Sequence, residues 1–317
     1  MGMLDEEWFL NTRLKLRHLQ LFLALDEERN LHRAAVRLGM SQPAASKLLT
    51  DLEIRLEVRL FERHARGLTP NWYGEVMVRH ARNMLSELRH TGEEMNALRI
   101  GNAGTVTIGT VMAPAVTLLT SAIERVHRDL PALKIGVEVD VSKALVPRLL
   151  EGELDFAITR IPAGFQAEHF VFEEIGEEDL CFVCRQGHPL TGQTPLTLNA
   201  MAAYPWSLQP VGGLMRQRVD SLFLHHGVAP PRQIVDTTDV LVSLALVDKS
   251  DTITVTTREV AELLCAPPRF RVLPFSEHLS VQPYGLVSLR QRRLSPGASA
   301  LMTTLRELIA HTRIAAR

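Results

Sequence analysis

The chain has 317 residues, of which 46% are hydrophobic and 22% charged, with a formal net charge of −1 and three cysteines. No apolar run is long enough to span a bilayer and Met1 to Asn11 carry no signal-peptide pattern, so a soluble cytoplasmic chain of two or three compact units is expected. The charge is unevenly spread: Thr12 to Trp72 hold 11 Lys and Arg against 7 Asp and Glu (+4), leaving 24 against 29 (−5) elsewhere, as suits a nucleic-acid-facing head on a body with another task.

The first patterned stretch contains Leu31, Ala34, Ala35 and Leu38 at helical intervals behind Asn30, whose side chain can cap free N–H groups. Gly39 supplies a turn that side chains with a Cβ resist. Ser41 then caps a second helix, Pro43 sits in its first turn where a missing N–H costs little, and Ala45, Leu48, Leu49 and Leu52 form one apolar face. The other face carries Gln42, Ser46, Lys47 and Asp51. This spacing reads as a DNA-binding helix-turn-helix. The second helix enters the major groove, where Gln reads adenine, Ser suits several base edges and Lys reaches phosphate or guanine. On these residues alone an ordinary helical hairpin with a polar surface remains the alternative. Leu56 to Arg63 and His64 to Pro70 read as a strand, a basic turn and a return strand, forming a wing whose Arg63 and Arg66 lie beside the DNA backbone or minor groove. The candidate DNA contacts are Arg33, Ser41, Gln42, Pro43, Ala44, Ser46, Lys47, Arg63 and Arg66.

From Leu16 to Gly74 the chain resembles the N-terminal winged helix-turn-helix of the LysR-type transcriptional regulators. The resemblance rests on Leu19 to Phe22, Ala34-Ala35 with Leu38, Ser41-Gln42-Pro43-Ala44 with Ser46, Leu52-Glu53, Leu60 to Arg63, and Leu68-Thr69 with Gly74. Ala45 stands where a larger aliphatic residue is usual, and Glu57 where the family prefers glycine after the helix.

Tyr73 to Ile100 lacks proline, and Met77, Ala81, Met84, Leu88, Thr91, Met95 and Leu98 recur at steps of four and three, the pattern that pairs two helices. Packing on its own domain is the alternative. The resemblance implies a linker helix joining two subunits, which would set two recognition helices on roughly palindromic half-sites one or more helical turns apart.

After a hinge at Gly101-Asn102-Ala103-Gly104 the pattern changes to alternating strands and helices. Val106 to Gly109, Lys134 to Val139, Phe156 to Ile158, Leu180 to Val183, Ile234-Val235 and Ile253 to Val255 read as strands of an α/β body with mostly parallel sheets. Val281 to Ser288 reads as a returning strand. The resemblance extends here and implies two lobes of the type II periplasmic-binding-protein kind with a ligand in the cleft between them. The expected architecture is a winged helix-turn-helix over 13–72, a linker helix over 73–100 and a two-lobed effector domain over 104–317. Lobe I takes 104–176 and 282–317, and lobe II takes 177–281.

Ligands in such folds collect outside strand carboxyl ends and against helix N-termini. That selects Met112 and Ala113 after the first strand, Ser142 after the second, Arg160 after the third, Gln209 and Gly213 before the helix holding Arg216, and Thr238 before the helix holding Val242 and Leu246. The resemblance adds that Ser142 matches a position often offering a hydroxyl to the effector, whereas Ala113 replaces a frequently polar one. Ser142 and Thr238 have an ordinary reading as helix caps, and Arg160 as the partner of a carboxylate. Tyr73-Gly74 and Ser250-Asp251 resemble the subgroup of galactose-binding-protein regulators and regulators of protocatechuate catabolism, making a sugar or an aromatic or organic acid the effector to test.

Cys181 and Cys184 lie in an apolar run where alternation points them to opposite faces, so they read as packed thiols, and Cys265 is isolated. Glu173-Glu174 and Glu177-Glu178 read as solvated turns. No metal site, cofactor or catalytic set is expected. The chain reads as a dimeric or tetrameric transcription regulator whose grip on double-stranded DNA responds to a small molecule, with RNA polymerase a further partner if it activates. An effector-independent architectural DNA binder is the alternative, and an enzyme or solute binder using the α/β body is the third reading.

Overall fold

The computed structural model describes residues 14–64, 67–100, 104–264 and 269–315; Arg66 of the expected wing, Gly101 to Ala103 of the expected hinge and Cys265 lie outside them. The described chain divides into two compact units near residue 102.

The first unit is built from α1 (Leu16–Glu28), α2 (Leu31–Arg37), α3 (Gln42–Leu56), β1 (Phe61–His64), β2 (Gly67–Pro70) and α4 (Trp72–Ile100). Its helix starts are those the cap residues dictate. Asn30 Oδ1 accepts the Arg33 N–H at 3.1 Å and Ser41 Oγ accepts the Ala44 N–H at 3.4 Å. Gly39 turns the chain between α2 and α3 with φ at +63°. Ala45, Leu49, Leu52 and Leu56 of α3 pack with Phe22, Leu25, Ala34, Ala35 and Leu60 in one core. Burial of each such leucine contributes about 1.5–3 kcal/mol.

The chain leaves α3 differently from the sequence expectation. Leu56 is still helical, with its side chain in the core, and the first wing strand begins only at Phe61. Glu57 closes the helix in the left-handed region, with φ at +56°, its N–H bonded to the Ile54 carbonyl. A residue with a Cβ pays about 1–2 kcal/mol there, which is the physical reason for a glycine at such a position. The Glu53 carboxylate then accepts the N–H groups of Leu60 at 2.7 Å and Phe61 at 3.3 Å, turning the chain into the wing. β1 and β2 pair antiparallel from Phe61 opposite Pro70 to His64 opposite Gly67.

Asn71 starts α4: its Oδ1 accepts the Gly74 N–H and its amide donates to the Arg59 carbonyl at 2.8 Å. The pairing seam read from sequence splits in two along this helix. Met77 and Ala81 face inward with Val78 and Leu85 onto the head's own core. Met84, Leu88 and Met95 remain 48%, 48% and 67% exposed. The side chain of Leu98 lies outside the described ones.

In the second unit nine strands form one sheet in the order β4-β3-β5-β11-β6-β9-β7-β8, with β10 (Phe270–Val272) also on β6. β3 (Thr105–Thr110), β4 (Lys134–Val139) and β5 (Phe156–Thr159) are a parallel trio; β7 (Trp206–Leu208), β8 (Ile234–Asp236) and β9 (Ile253–Thr257) are another. Between them run β6 (Phe170–Arg185) and β11 (Leu279–Leu289), antiparallel to each other and to the trio strands they join. The body is thus two parallel trios joined by an antiparallel pair, where the sequence pointed to mostly parallel sheets. The expected strand Leu180 to Val183 is only the continuously buried part of β6; upstream, the same strand alternates toward solvent. Its register with β11 shifts between Val281 and Gly285, where the pairing passes from one half of the body to the other.

Around the sheet lie a helical turn at Met112–Pro114 that continues as a π-helical turn at Ala115–Leu119, then α5 (Thr120–Asp129), α6 (Ser142–Leu150), α7 (Leu198–Ala202), α8 (Leu214–His225), α9 (Val240–Lys249), α10 (Arg258–Leu264) and α11 (Pro296–Ala315). One core gathers Ile108, Phe156, Ile158, Leu286 and Leu301 on the first trio; the other gathers Phe182, Leu208, Phe223 and Ile253 around fully buried Trp206.

Candidate functional site

At the start of α3, helical geometry separates packed side chains from exposed ones. Ala45 and Leu49 point into the core, while Ser41, Gln42, Pro43, Ala44 and Lys47 are exposed and Ser46 is half-buried. Ser41 commits its hydroxyl to the cap, which holds the first turn in place. Arg33 is exposed on α2, but its guanidinium donates to the Glu28 carbonyl at 2.5 Å and lies 3.5 Å from the Glu28 carboxylate, so part of its charge is compensated locally. Arg63 is exposed on β1, opposite Leu68. The result is a preformed polar edge beside a wing strand that exposes Arg63.

In the body, the carboxyl ends of the parallel strands carry the residues selected from sequence. Met112 is half-buried and Ala113 is 1% exposed directly after β3. Ser142 opens α6 at 4% exposure, and its Oγ accepts the Arg160 N–H at 3.4 Å. Arg160 follows β5 and forms a buried ion pair with Glu178 of β6, 2.6 Å from Nη2 to Oε2, at an angle short of good hydrogen-bond alignment. Its Nε donates to the Gln282 carbonyl at 2.5 Å, and its guanidinium lies 5.6 Å from the Tyr284 ring centroid. The other Glu178 oxygen accepts the Ala113 N–H at 3.3 Å. Ala113, Ser142 and Arg160 therefore come together, and Arg160 is the partner of a carboxylate.

The second trio presents a separate group. Gly213 caps α8, and a Cβ there would sit 2.6 Å from Gln209 Oε1, so a larger residue would displace the Gln209 side chain. Arg216 behind it is held by Asp220 at 2.9 Å and Asp236 at 2.8 Å. Thr238 is exposed, and the cap of α9 is its neighbour Asp239, which accepts the N–H groups of Leu241 and Val242. Among the described residues no hydrogen bond joins Gln209, Gly213 or Thr238 to Ser142 or Arg160.

Sequence reasoning passed over Glu178, Tyr284 and Glu259. Glu178 read as part of a solvated turn, yet it lies on β6 at 2% exposure. Glu259 lies two residues past the end of β9, close to the strand-end position that singled out Arg160 directly after β5. Cys181 and Cys184 fall into different clusters, one beside Leu244 and Ala261 and the other in the Trp206 core, as alternation along a strand requires.

Residues 16–75 match the model of the bacterial regulatory helix-turn-helix protein, lysR family, and residues 99–310 match the LysR substrate binding domain. The HTH-type transcriptional regulator GbpR of Azospirillum brasilense is 52% identical over 300 residues, covering 94% of this chain and 88% of the relative. A GbpR of Rhizobium radiobacter is 38% identical, covering 78% of this chain and 82% of its own length. Among solved structures, full-length CbnR complexed with its target DNA shares the fold at a TM-score of 0.64 and 22% identity, over 93% of this chain and 99% of that one. With both family regions present in order and a relative half-identical over nearly the whole chain, this protein belongs to the LysR family, a DNA-binding transcription regulator with an effector-binding domain, and not an enzyme.

Proposed function

We propose that two copies pair along the Met84, Leu88 and Met95 side of α4 and set two α3 helices on successive turns of a roughly palindromic operator, as a homodimer or as a homotetramer of two such dimers. The observation that carries this reading is the exposed, capped start of α3 beside a wing. Gln42 and Ser46 read base edges, Lys47, Arg63 and Arg66 hold phosphates or the minor groove, and Arg33 steadies the backbone contact. DNA binding of this kind places the protein in the cytoplasm, and activation would add contact with RNA polymerase.

The effector site is assigned to the strand carboxyl ends of the body, with Met112, Ala113, Ser142 and Arg160 on one side and Gln209, Gly213 and Thr238 on the other. Arg160 and Arg216 already hold internal carboxylates. A neutral sugar therefore enters at lower electrostatic cost than an aromatic or organic acid, which would have to compete with Glu178 or with Asp220 and Asp236. Only a ligand with unequal affinity for two arrangements of the body alters the spacing of the DNA heads.

Footprinting of the purified protein on the promoter region beside its own gene, with and without pooled sugars and pooled aromatic acids, tests both halves of the reading. A symmetric footprint whose length or hypersensitive bend changes with the sugar pool is expected. A footprint unchanged by either pool would favour the architectural alternative.

A further inference from the structure

Between the two trios lies a charged cluster whose ledger does not balance. Its single guanidinium, on Arg160, is matched by Glu178, and both side chains are under one-tenth exposed. A second carboxyl, on Glu259, reaches the same place from α10, which packs against the Met112–Pro114 turn, the Ala115–Leu119 π-helical turn, β6 and β9. Glu259 Oε2 is buried and has no hydrogen-bond partner, while the Thr257 hydroxyl serves its carboxyl from the end of β9. An ionised carboxylate with one oxygen buried and unpartnered beside a second carboxylate is costly, and taking up a proton removes that cost.

The surroundings favour the neutral acid on balance, against the hydrogen bonds that its own backbone N–H and the Thr257 hydroxyl give the carboxylate. Burial pushes the Glu259 carboxyl up, and Glu178 and Asp179 on β6 push it further. Tyr284 on β11 is pushed up to about 12 by burial and by the charges of Glu178 and Glu259, so it stays a neutral phenol. Asp179 turns toward the surface, where His278 pairs with it at 2.9 Å. Arg160, the cation from the end of β5, is already committed to Glu178, and residues 112–119 contribute no titratable side chain.

We propose that Glu259 is a proton-operated latch between the two halves of the body: protonated, it lets α10 seat on residues 112–119, and ionised, it is repelled by Glu178 and loosens that contact. The sign follows from linkage. A carboxyl whose proton is held more tightly in the seated state stabilises that state at low pH, and the stabilisation disappears as pH rises through its raised value. The latch would set how easily the body opens to an effector, so its regulatory meaning rests on the effector reading above, but its test uses no effector and stands or falls separately.

The test is amide hydrogen exchange of the full-length protein without ligand, corrected for intrinsic rates, from about pH 5 to about pH 8. In the wild type, protection of residues 112–119 and 258–264 should fall about tenfold across that range. Glu259→Gln should hold both segments at the low-pH level throughout. Wild-type protection that does not change with pH overturns the latch, as does a Glu259→Gln profile that follows the wild type. Should that variant fail to fold, carbon NMR titration of the wild-type Glu259 carboxyl decides the matter: titration in the ordinary glutamate range overturns the proposal, and titration above it supports it.

Discussion

The head and the body of this protein treat their polar residues in opposite ways. At the start of α3, Gln42 and Lys47 stand in solvent on a helix anchored from its other face by Ala45, Leu49 and Leu52. At the strand ends of the body, Arg160 and Glu178 are folded onto each other and almost sealed from water. A surface proposed to read a groove gains from being held ready, because nothing has to be displaced on contact. A buried ion pair does the reverse: it binds its own chain until another interaction outcompetes it.

The largest test of this contrast removes one member of the sealed pair. Glu178→Ala leaves the Arg160 guanidinium buried without its anion and should destabilise the body by about 3–5 kcal/mol in denaturant unfolding. The paired replacement Arg160→Met with Glu178→Leu should recover most of that loss, since two apolar groups of similar size need no counter-charge. A single-variant loss below about 1 kcal/mol would mean that Arg160 reaches water, and the contrast with the head would collapse.

On the head, Gln42→Ala should leave stability within about 0.5 kcal/mol of wild type and cost about 1–3 kcal/mol of discrimination at one base pair per half-site. Competition binding with operator variants measures this, and an unaltered base preference would remove Gln42 from the reading edge. The smallest expected effect is a gain. Glu57→Gly removes a Cβ from the left-handed closure of α3 and should raise stability by about 0.5–1 kcal/mol, because the strain relieved exceeds the extra freedom given to the unfolded chain. Thermal unfolding resolves it, and a lowered midpoint would show that the flexibility added to the unfolded chain outweighs the relief.

The way each region was legible follows the same contrast. Asn30, Gly39, Ser41 and Pro43 announce α2, the turn and α3 within fourteen residues, since caps and turns act on their immediate neighbours. The strands Lys134 to Val139 and Ile253 to Val255 are legible for a similar local reason: Ile135, Val137 and Val139 alternate in one, and Ile253 and Val255 in the other. β7 and β10, three residues each, leave no period to read, whereas the equally short β8 shows in the β-branched pair Ile234-Val235. The upstream part of β6 hid behind Glu173, Glu174, Glu177 and Glu178, whose charges resemble a loop until the antiparallel partner β11 is in place.

Sequence by itself determined the helix-turn-helix, the exposed polar face at the start of its second helix, the long helix that follows and the α/β character of the body, because each rests on spacing and capping over a few residues. Tertiary structure alone decided that Met77 and Ala81 turn inward while Met84 and Leu88 stay outside, that the two trios are joined by an antiparallel pair, and that Arg160 meets Glu178 with Glu259 beside them. Those outcomes depend on partners many residues apart, and no local pattern states which buried charge will find which counter-charge once the chain has closed on itself.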